Sequence, residues 1–267
     1  MGFPGSGDLR LNRVEVRGKR GTSEPFLILH LSDLHGRSLG PGQSLLKEIL
    51  EGMAPDFVFL TGDILDEHTA TMSPVLSFIS ALPPGRRFFV AGNHDPRCPL
   101  YPQLQQALSD AGIEPLVNRS VLLSTGGAEG RPAVRVIGLD DVYHGEPDFS
   151  LLESFLPDQA GAPSIVATHS PTLGRRNARR VGEASILSLA ARSGADLVLC
   201  GHTHGGQVNL PWIGAVYVPG QKLLPKLVHG VYTSGATSMY VTSGLGTSHV
   251  PMRFLCPPEA ALIAWYP

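Results

Sequence analysis

No run of eighteen consecutive apolar residues occurs in the sequence, so no transmembrane helix is expected. The opening residues, MGFPGSGDLRLNRVEV, lack the apolar centre of a signal peptide. A cytoplasmic location is therefore expected, with peripheral contact at an inner membrane surface as a further expectation. Cysteine is scarce and odd in number: Cys98, Cys200 and Cys256, with no C-x-x-C pair. That argues against a disulfide framework and against a thiolate zinc site, and for a reducing compartment. An excess of positive charge is missing as well. The net charge is −2, which is not the basic footprint of a protein that binds duplex nucleic acid. Internal repeats, low-complexity tracts and interdomain linkers are absent. What is plentiful is apolar residues, 42% of 267 against 16% charged, enough for a well-buried core. Residues 1–24 read as an N-terminal extension carrying an edge strand, and 25–267 as one domain.

Apolar runs alternate with amphipathic ones. PFLILHLSD (25–33), DFVFLTGD (56–63), RRFFVAGNHD (86–95), SIVATHS (164–170) and DLVLCGHTH (196–204) read as strands covered on both faces. Residues 43–53 read as a helix with a stripe of Leu45, Leu46, Ile49, Leu50 and Met53. Residues 73–82 read as another, with Ser73 as N-cap and Pro74 in the first turn. Helices are also expected over 102–111 and around 183–193, a hairpin over 119–139, and short strands from 207 onward. Strands alternating with helices predict a layered α/β fold.

The segment LVLCGHTHGGQV (197–208) places His202 and His204 two apart. In a helix such residues point to nearly opposite sides; in extended or looped chain they can act as a pair. Every other strand end carries similar groups: Asp33 and His35, Asp63, then Asn93, His94 and Asp95, then His169. In open α/β sheets ligands bind outside the carboxyl ends of the strands. Imidazole, carboxylate and amide oxygen together suit manganese, iron, cobalt or zinc. Two such cations can share a carboxylate and a water, lower the pKa of that water and clamp a phosphoryl group.

In this order, DLH, GD, GNHD, the lone histidine of ATHSP, and GHTH resemble the calcineurin-like metallophosphoesterase superfamily over residues 25–265. SDLH (32–35), GHTHGGQVNLP (201–211) and VTSGLGTSHVPMRFLCPPE (241–259) resemble one bacterial branch of it. The resemblance implies a four-layer αββα sandwich of two mixed sheets flanked by helices. It implies two divalent metal ions, manganese foremost, with zinc, iron or cobalt as alternatives. Asp33, His35 and His204 would hold the first, Asn93, His169 and His202 the second, and Asp63 both. His94 would serve the leaving oxygen as general acid, and Asp95 would orient it. The implied activity is a dinuclear metal-dependent phosphohydrolase, foremost a phosphodiesterase, in which a metal-bridging hydroxide attacks phosphorus. A UDP-2,3-diacylglucosamine pyrophosphatase of lipid A synthesis and a broad phosphomonoesterase stand beside it. The reading from another class is a non-catalytic scaffold, but such scaffolds lose ligands and this set is complete. The substrate expected is a small phosphate ester or a lipid-linked phosphodiester.

The remaining histidines read differently. His30 is expected in the core, His68, His144 and His229 in loops, and His249 at the surface. The run GRRNARR (174–180) reads as a solvated loop or, through Arg175 and Arg176, as a phosphate clamp. Arg37, Arg97 and Arg253 lie near motifs and are further candidates for substrate contact. The apolar stretch 210–232, with Lys222 and Lys226, reads as a hairpin over the core or a surface that touches lipid. Ester preference is expected to rest on loops 97–102, 141–148 and 171–182.

Overall fold

The apolar runs become strands because each strand lies between two apolar layers and can be buried on both faces. The computed structural model describes residues 9–19, 24–124, 132–153, 162–215, 218, 225–247 and 253–267. One six-stranded sheet has the order β1 (Arg10–Arg17), β14 (Glu259–Tyr266), β2 (Phe26–Leu31), β3 (Phe57–Leu60), β4 (Arg86–Phe89), β5 (Glu114–Pro115). The second, also six-stranded, runs β12 (Gly230–Ser234), β13 (Thr237–Val241), β9 (Leu197–Cys200), β8 (Ser164–Ala167), β7 (Val134–Gly138), β6 (Arg119–Leu123). Both sheets are mixed: β2, β3 and β4 are mutually parallel, as are β7, β8, β9 and β13, while β14 against β2, β12 against β13 and β6 against β7 are antiparallel.

Period-two alternation sorts side chains between layers. Phe26, Ile28, Phe57, Phe59 and Phe88 of the first sheet meet Ile165, Leu197, Leu199 and Tyr240 of the second in a middle layer, together with Trp265. Its aromatic rings pack at centroid separations of 5.3 Å for Phe59–Phe88 and 5.9 Å for Phe26–Trp265. The alternate residues Leu29, Leu31, Val58, Leu60 and Phe89 face outward to α1 (Ser44–Leu50), α2 (Ser73–Ala81) and α3 (Tyr101–Asp110). Val166, Val198, Cys200, Met239 and Val241 face α4 (Ser150–Glu153), α5 (Gly174–Val181) and α6 (Ile186–Ser193). Each fully buried Leu, Ile or Phe contributes about 1.5–3 kcal/mol by area. The result is the four-layer α/β/β/α sandwich.

Several elements depart from the sequence reading. The first helix is shorter: Pro41–Gln43 form a separate 3-10 turn before it, and it ends at Leu50 because Glu51 is extended and Gly52 is left-handed. Gln43 is buried there, and its amide serves Leu39 N, Arg37 O and Pro74 O. Ser73 is the first residue of α2 rather than its cap, and the cap position, Met72, makes no side-chain cap bond. Residues 174–180, read as a loop, lie in α5, ended by Gly182 in the left-handed conformation. The strands stop short at Leu31, Leu60, Phe89, Ala167 and Cys200. Arg10–Arg17, within the N-terminal extension, pair in parallel with β14 at the sheet edge. Part of the 119–139 hairpin turn, His249 and Lys222 lie outside the described residues.

Glu259 ties the two sheets where β14 begins. One oxygen accepts from Tyr240 Oη (2.8 Å), Thr242 Oγ1 (2.9 Å) and Ser243 N (3.0 Å), the other from Asn12 Nδ2 (3.2 Å) and His229 Nε2 (2.9 Å). Burial opposes its charge, but the bond to His229, that ring's charge and the Ser243 and Tyr240 donors hold its pKa down at about 2. A carboxyl depressed below its unfolded value of 4.5 adds stability above that pH and loses it as pH falls toward about 2. Chemical denaturation across pH should therefore show stability falling through this window. Glu259→Gln should flatten the profile and lower stability at neutral pH by about 2–3 kcal/mol. An unchanged profile would refute the assignment.

Candidate metal centre

All five strand ends that carry His, Asp or Asn converge at one edge of the sandwich. The side chains sit in the turns just after the strands. Asp33, His35, Asp63, His202 and His204 have φ of 56°, 52°, 52°, 72° and 50°. Left-handed backbone costs a non-glycine residue about 1–2 kcal/mol, and strain of this kind gathers at functional sites. The answer to the pairing of His202 and His204 is thus a looped, left-handed chain rather than a continued strand.

Hydrogen bonds between turns hold this backbone. Asp33 N donates to Gly62 O (2.9 Å), His35 N to Asp63 O (2.9 Å), and His202 N to Asp33 Oδ1 (3.1 Å). Asp95 accepts from Asp63 N, Leu65 N and Gly92 N, each at 2.8 Å. Two glycines permit close approach. A Cβ on Gly92 would lie 2.2 Å from Asp63 Oδ1, and one on Gly201 2.4 Å from Asp33 Oδ2.

Three groups of ligand atoms result, each with all its atoms within 4.8 Å of one another: two fully buried ones, Asp33 with His35 and His204 and Asp63 with His169 and His202, and a third at the rim, His35 with Asp66 and His94. Asp63 Oδ2 lies between the two buried groups, 3.1 Å from His169 Nε2 and 3.6 Å from His35 Nε2. His169 Nδ1 faces Thr61 O at 2.7 Å, so it donates there and Nε2 is the nitrogen turned to the cluster. His35 Nε2 faces His204 Nε2 at 3.1 Å, and His202 Nδ1 faces His169 Nε2 at 3.2 Å. Facing imidazole nitrogens need a shared proton or a cation between their lone pairs. Asn93 is buried in the same turn as Gly92, and its Oδ1 has no hydrogen-bond partner. Orphaned buried oxygens are costly unless a ligand meets them. The donor set and its geometry therefore fit divalent cations.

Electrostatics agree with a cation-binding cluster. Burial works against the charge on Asp63, yet His169 and His35 hold its carboxyl well below the usual range. Burial also disfavours the charged form of His169, but Asp63 overrides it and pushes the pKa to about 10. Burial, His35 and Arg253 keep His204 well below the usual imidazole range, so it is neutral.

The structure reassigns two residues. Asp95, expected against His94, spends its carboxylate on the backbone; burial and neighbouring Asp63 push its pKa up to about 7. The carboxylate beside His94 is Glu67, with Oε2 2.9 Å from His94 Nδ1 and Oε1 3.0 Å from Arg97 Nη2. Arg253, expected at the substrate, is 2% exposed. Its guanidinium donates to Ser243 O (2.7 Å), Gly244 O (3.1 Å), Gly246 O (2.9 Å) and His204 O (3.3 Å). It braces the turns behind the site.

The other arginines sit apart from the cluster or beside it. Arg37 lines a cavity next to His35. Arg175 and Arg176 are exposed on α5, and Arg176 pairs with Glu146 at 3.3 Å. His30 is a core residue, bonded to Thr61 Oγ1 at 2.7 Å and kept neutral by burial, which lowers its pKa to about 3. Sequence reasoning missed Glu67, although the acidic pair in GDILDEH, three and four residues past Asp63, signals it. It also missed Tyr143, which stacks on His202 at 5.1 Å and bonds Thr172 Oγ1 at 2.7 Å; nothing local in the sequence signals that contact.

A family model described as calcineurin-like phosphoesterase matches residues 26–206. The chain belongs to this family. It is a metallophosphoesterase, a phosphoric ester hydrolase. The chain is 30% identical to the uncharacterized metallophosphoesterase YkuE of Bacillus subtilis over 88% of its own length and 77% of that protein's. It is 27% identical to phosphodiesterase YaeI of Escherichia coli, over 90% and 82%. Among solved structures, GAP50, the anchor in the inner membrane complex of Plasmodium, shares the fold with a TM-score of 0.50 at 13% identity, covering 88% of this chain and 77% of that one. Among the described residues no helix is long and apolar enough to cross a membrane.

The tight approach at Gly92 yields a test. Gly92→Ala should leave the far-ultraviolet circular dichroism unchanged while divalent-cation affinity, measured by calorimetry, falls about tenfold or more. Unaltered affinity would show that the position of Asp63 does not matter to cation binding.

Proposed function

We propose that the protein is a dinuclear metal-dependent phosphodiesterase. The observation that carries this reading is the pair of ligand groups meeting at Asp63. Asp33, His35 and His204 would hold one cation, Asn93, His169 and His202 the other, and Asp63 would serve both. Bound there, two cations supply Lewis acidity, lowering the pKa of a water and offsetting phosphate charge. Manganese, zinc, iron and cobalt all suit the donors.

The chain's own groups do the rest. Asp63 and Asp33 are held in place by the interturn hydrogen bonds, so the cluster is ordered before substrate arrives. Glu67 accepts from His94 Nδ1 and fixes the ring. His94 then gives a proton to the leaving alcohol oxygen from Nε2. Arg97 binds the far oxygen of Glu67 and fixes that carboxylate in turn. The preference for diesters is supported by the relative named phosphodiesterase and by the open space beside His35, which leaves room for a second ester group.

The deciding experiment pairs elemental analysis with turnover of bis(p-nitrophenyl) phosphate. Two cations per chain and activity abolished by chelation are expected; one cation in a fully active protein would overturn the dinuclear reading. His94→Ala should keep both cations and slow turnover about a hundredfold for alkoxide leaving groups, less for nitrophenolate, with Glu67→Gln intermediate. Equal losses for both leaving groups would remove the general-acid role.

A lipid-linked substrate has one structural support. The hairpin of β10 (Asn209–Leu210) and β11 (Gly214–Ala215) follows the GHTHGG turn. It carries Trp212 fully exposed, with Ile213 and Leu210 also exposed. Such side chains insert at lipid interfaces. Sedimentation with anionic vesicles should retain the wild type and lose Trp212→Ala; equal behaviour of the two would exclude that role.

A further inference from the structure

A cavity of about 550 Å³ opens beside the cluster. His35, Arg37, His68, Thr69, Thr71 and Thr247 line it, and its apolar lining comprises only small side chains, Ala70 and Pro74. It arises where three segments meet: the turn after β2, the loop from β3 to α2, and the strand-end segment that reaches Thr247. None of these is among the loops at 97–102, 141–148 and 171–182 that the sequence points to for ester preference.

Position and chemistry both bear on what fills it. His35 belongs to the cavity wall, and its ring lies 5.0 Å from that of His94. A group in the cavity therefore sits on the side of the leaving oxygen that His94 serves. Thr247 Oγ1 is buried and has no hydrogen-bond partner among the described residues. The Arg37 guanidinium makes no hydrogen bond or ion pair among the described residues, while its backbone carbonyl is fixed by Gln43. The Asp66 carboxylate also lines the cavity, with Oδ2 3.4 Å from His35 Nδ1. An acyl chain placed here would strip water from these polar groups without replacing their hydrogen bonds. A hydroxyl-bearing group would satisfy them, and the volume suits a sugar or nucleoside.

We propose that this cavity receives the leaving alcohol of the diester and that this alcohol is hydroxylated and polar, of sugar or nucleoside size. The proposal rests on the phosphodiesterase reading of the same centre. Arg37 and Thr247 are its specificity residues: Thr247 Oγ1 hydrogen-bonds a hydroxyl of the alcohol, and the Arg37 guanidinium donates to its oxygens at the rim. The alcohol can come from a soluble diester or from a phospholipid headgroup; the recognition chemistry is the same.

The test measures kcat/KM for a dinucleoside monophosphate and for bis(p-nitrophenyl) phosphate, and takes their ratio. Arg37→Ala and Thr247→Val should each lower that ratio about tenfold, the size of one lost hydrogen bond. Thr247→Val keeps side-chain volume, so its thermal midpoint should not fall; a purely structural role for Thr247 would lower the midpoint and leave the ratio unchanged. The same comparison on phosphatidylglycerol vesicles, whose leaving alcohol is glycerol, separates a lipid-borne source from a soluble one. Wild-type cleavage of bis(p-nitrophenyl) phosphate with unchanged ratios in both variants overturns the cavity proposal and leaves the phosphodiesterase reading standing. Should the wild type cleave neither diester, that reading falls. Saturation-transfer NMR with a free nucleoside then decides the cavity alone: binding lost in both variants supports it, and absence of binding overturns it.

Discussion

The carboxylate of Asp95 holds three backbone N–H groups from two turns, Asp63 and Leu65 after β3 and Gly92 after β4. Asp63 occupies a left-handed conformation that a non-glycine residue does not adopt unaided. With Asp95 removed, those three donors would be stranded in a dry interior. His94 N closes the arrangement by donating to Asp63 Oδ1 at 2.8 Å. The Asp63 carboxylate, which lies beside both His169 and His35, is thus oriented by a residue that offers the cluster no ligand atom. Gly92 is the steric side of the same constraint, since any Cβ there would collide with Asp63.

The C-terminal part of the chain braces the cluster from behind. Leu245 N donates to Ser32 O and Gly246 N to Asp33 O, so the segment after β13 packs against the first ligand turn. Arg253 gathers the carbonyls of Ser243, Gly244, Gly246 and His204 around one guanidinium. A planar group with five donors suits such a ring of acceptors. Cys256 adds its thiol to His204 O at 3.3 Å. First and last ligand turns are therefore held by residues beyond both of them in sequence. Glu259 anchors this segment to the sheets through Ser243 N and Thr242.

Around His94 the sequence gives a motif but the fold gives the partner. Aspartate follows that histidine directly, yet His94 precedes and Asp95 begins the 3-10 turn Asp95–Arg97, and Asp95 turns inward to the backbone. Glu67 approaches from the next loop and forms a chain His94–Glu67–Arg97 at the surface of the site. Tyr143 reaches His202 from the loop after β7 in the same manner. Proximity of this kind depends on loop paths, which carry no periodic signal.

Much was legible in the sequence alone. Alternating apolar runs specify strands buried on both faces, because period two sends successive side chains into different layers, and this sufficed for the layered α/β class. Ligand types at strand ends were legible because metal chemistry restricts them to few residues and parallel strands deliver their ends to one edge. Tertiary structure decided what those residues do to one another. It turned Arg253 from an expected substrate contact into a buried brace, because its fate depends on the carbonyls presented by two segments, 243–246 and the turn at His204. It made a helix of 174–181, whose apolar Ala178 and Val181 pack on the second sheet although its polar residues outnumber them. It also decided that polar Thr247 and Arg37 share a cavity with His35. Side-chain type is local information, whereas the meeting of segments more than 200 residues apart is set only by the packing of the two sheets.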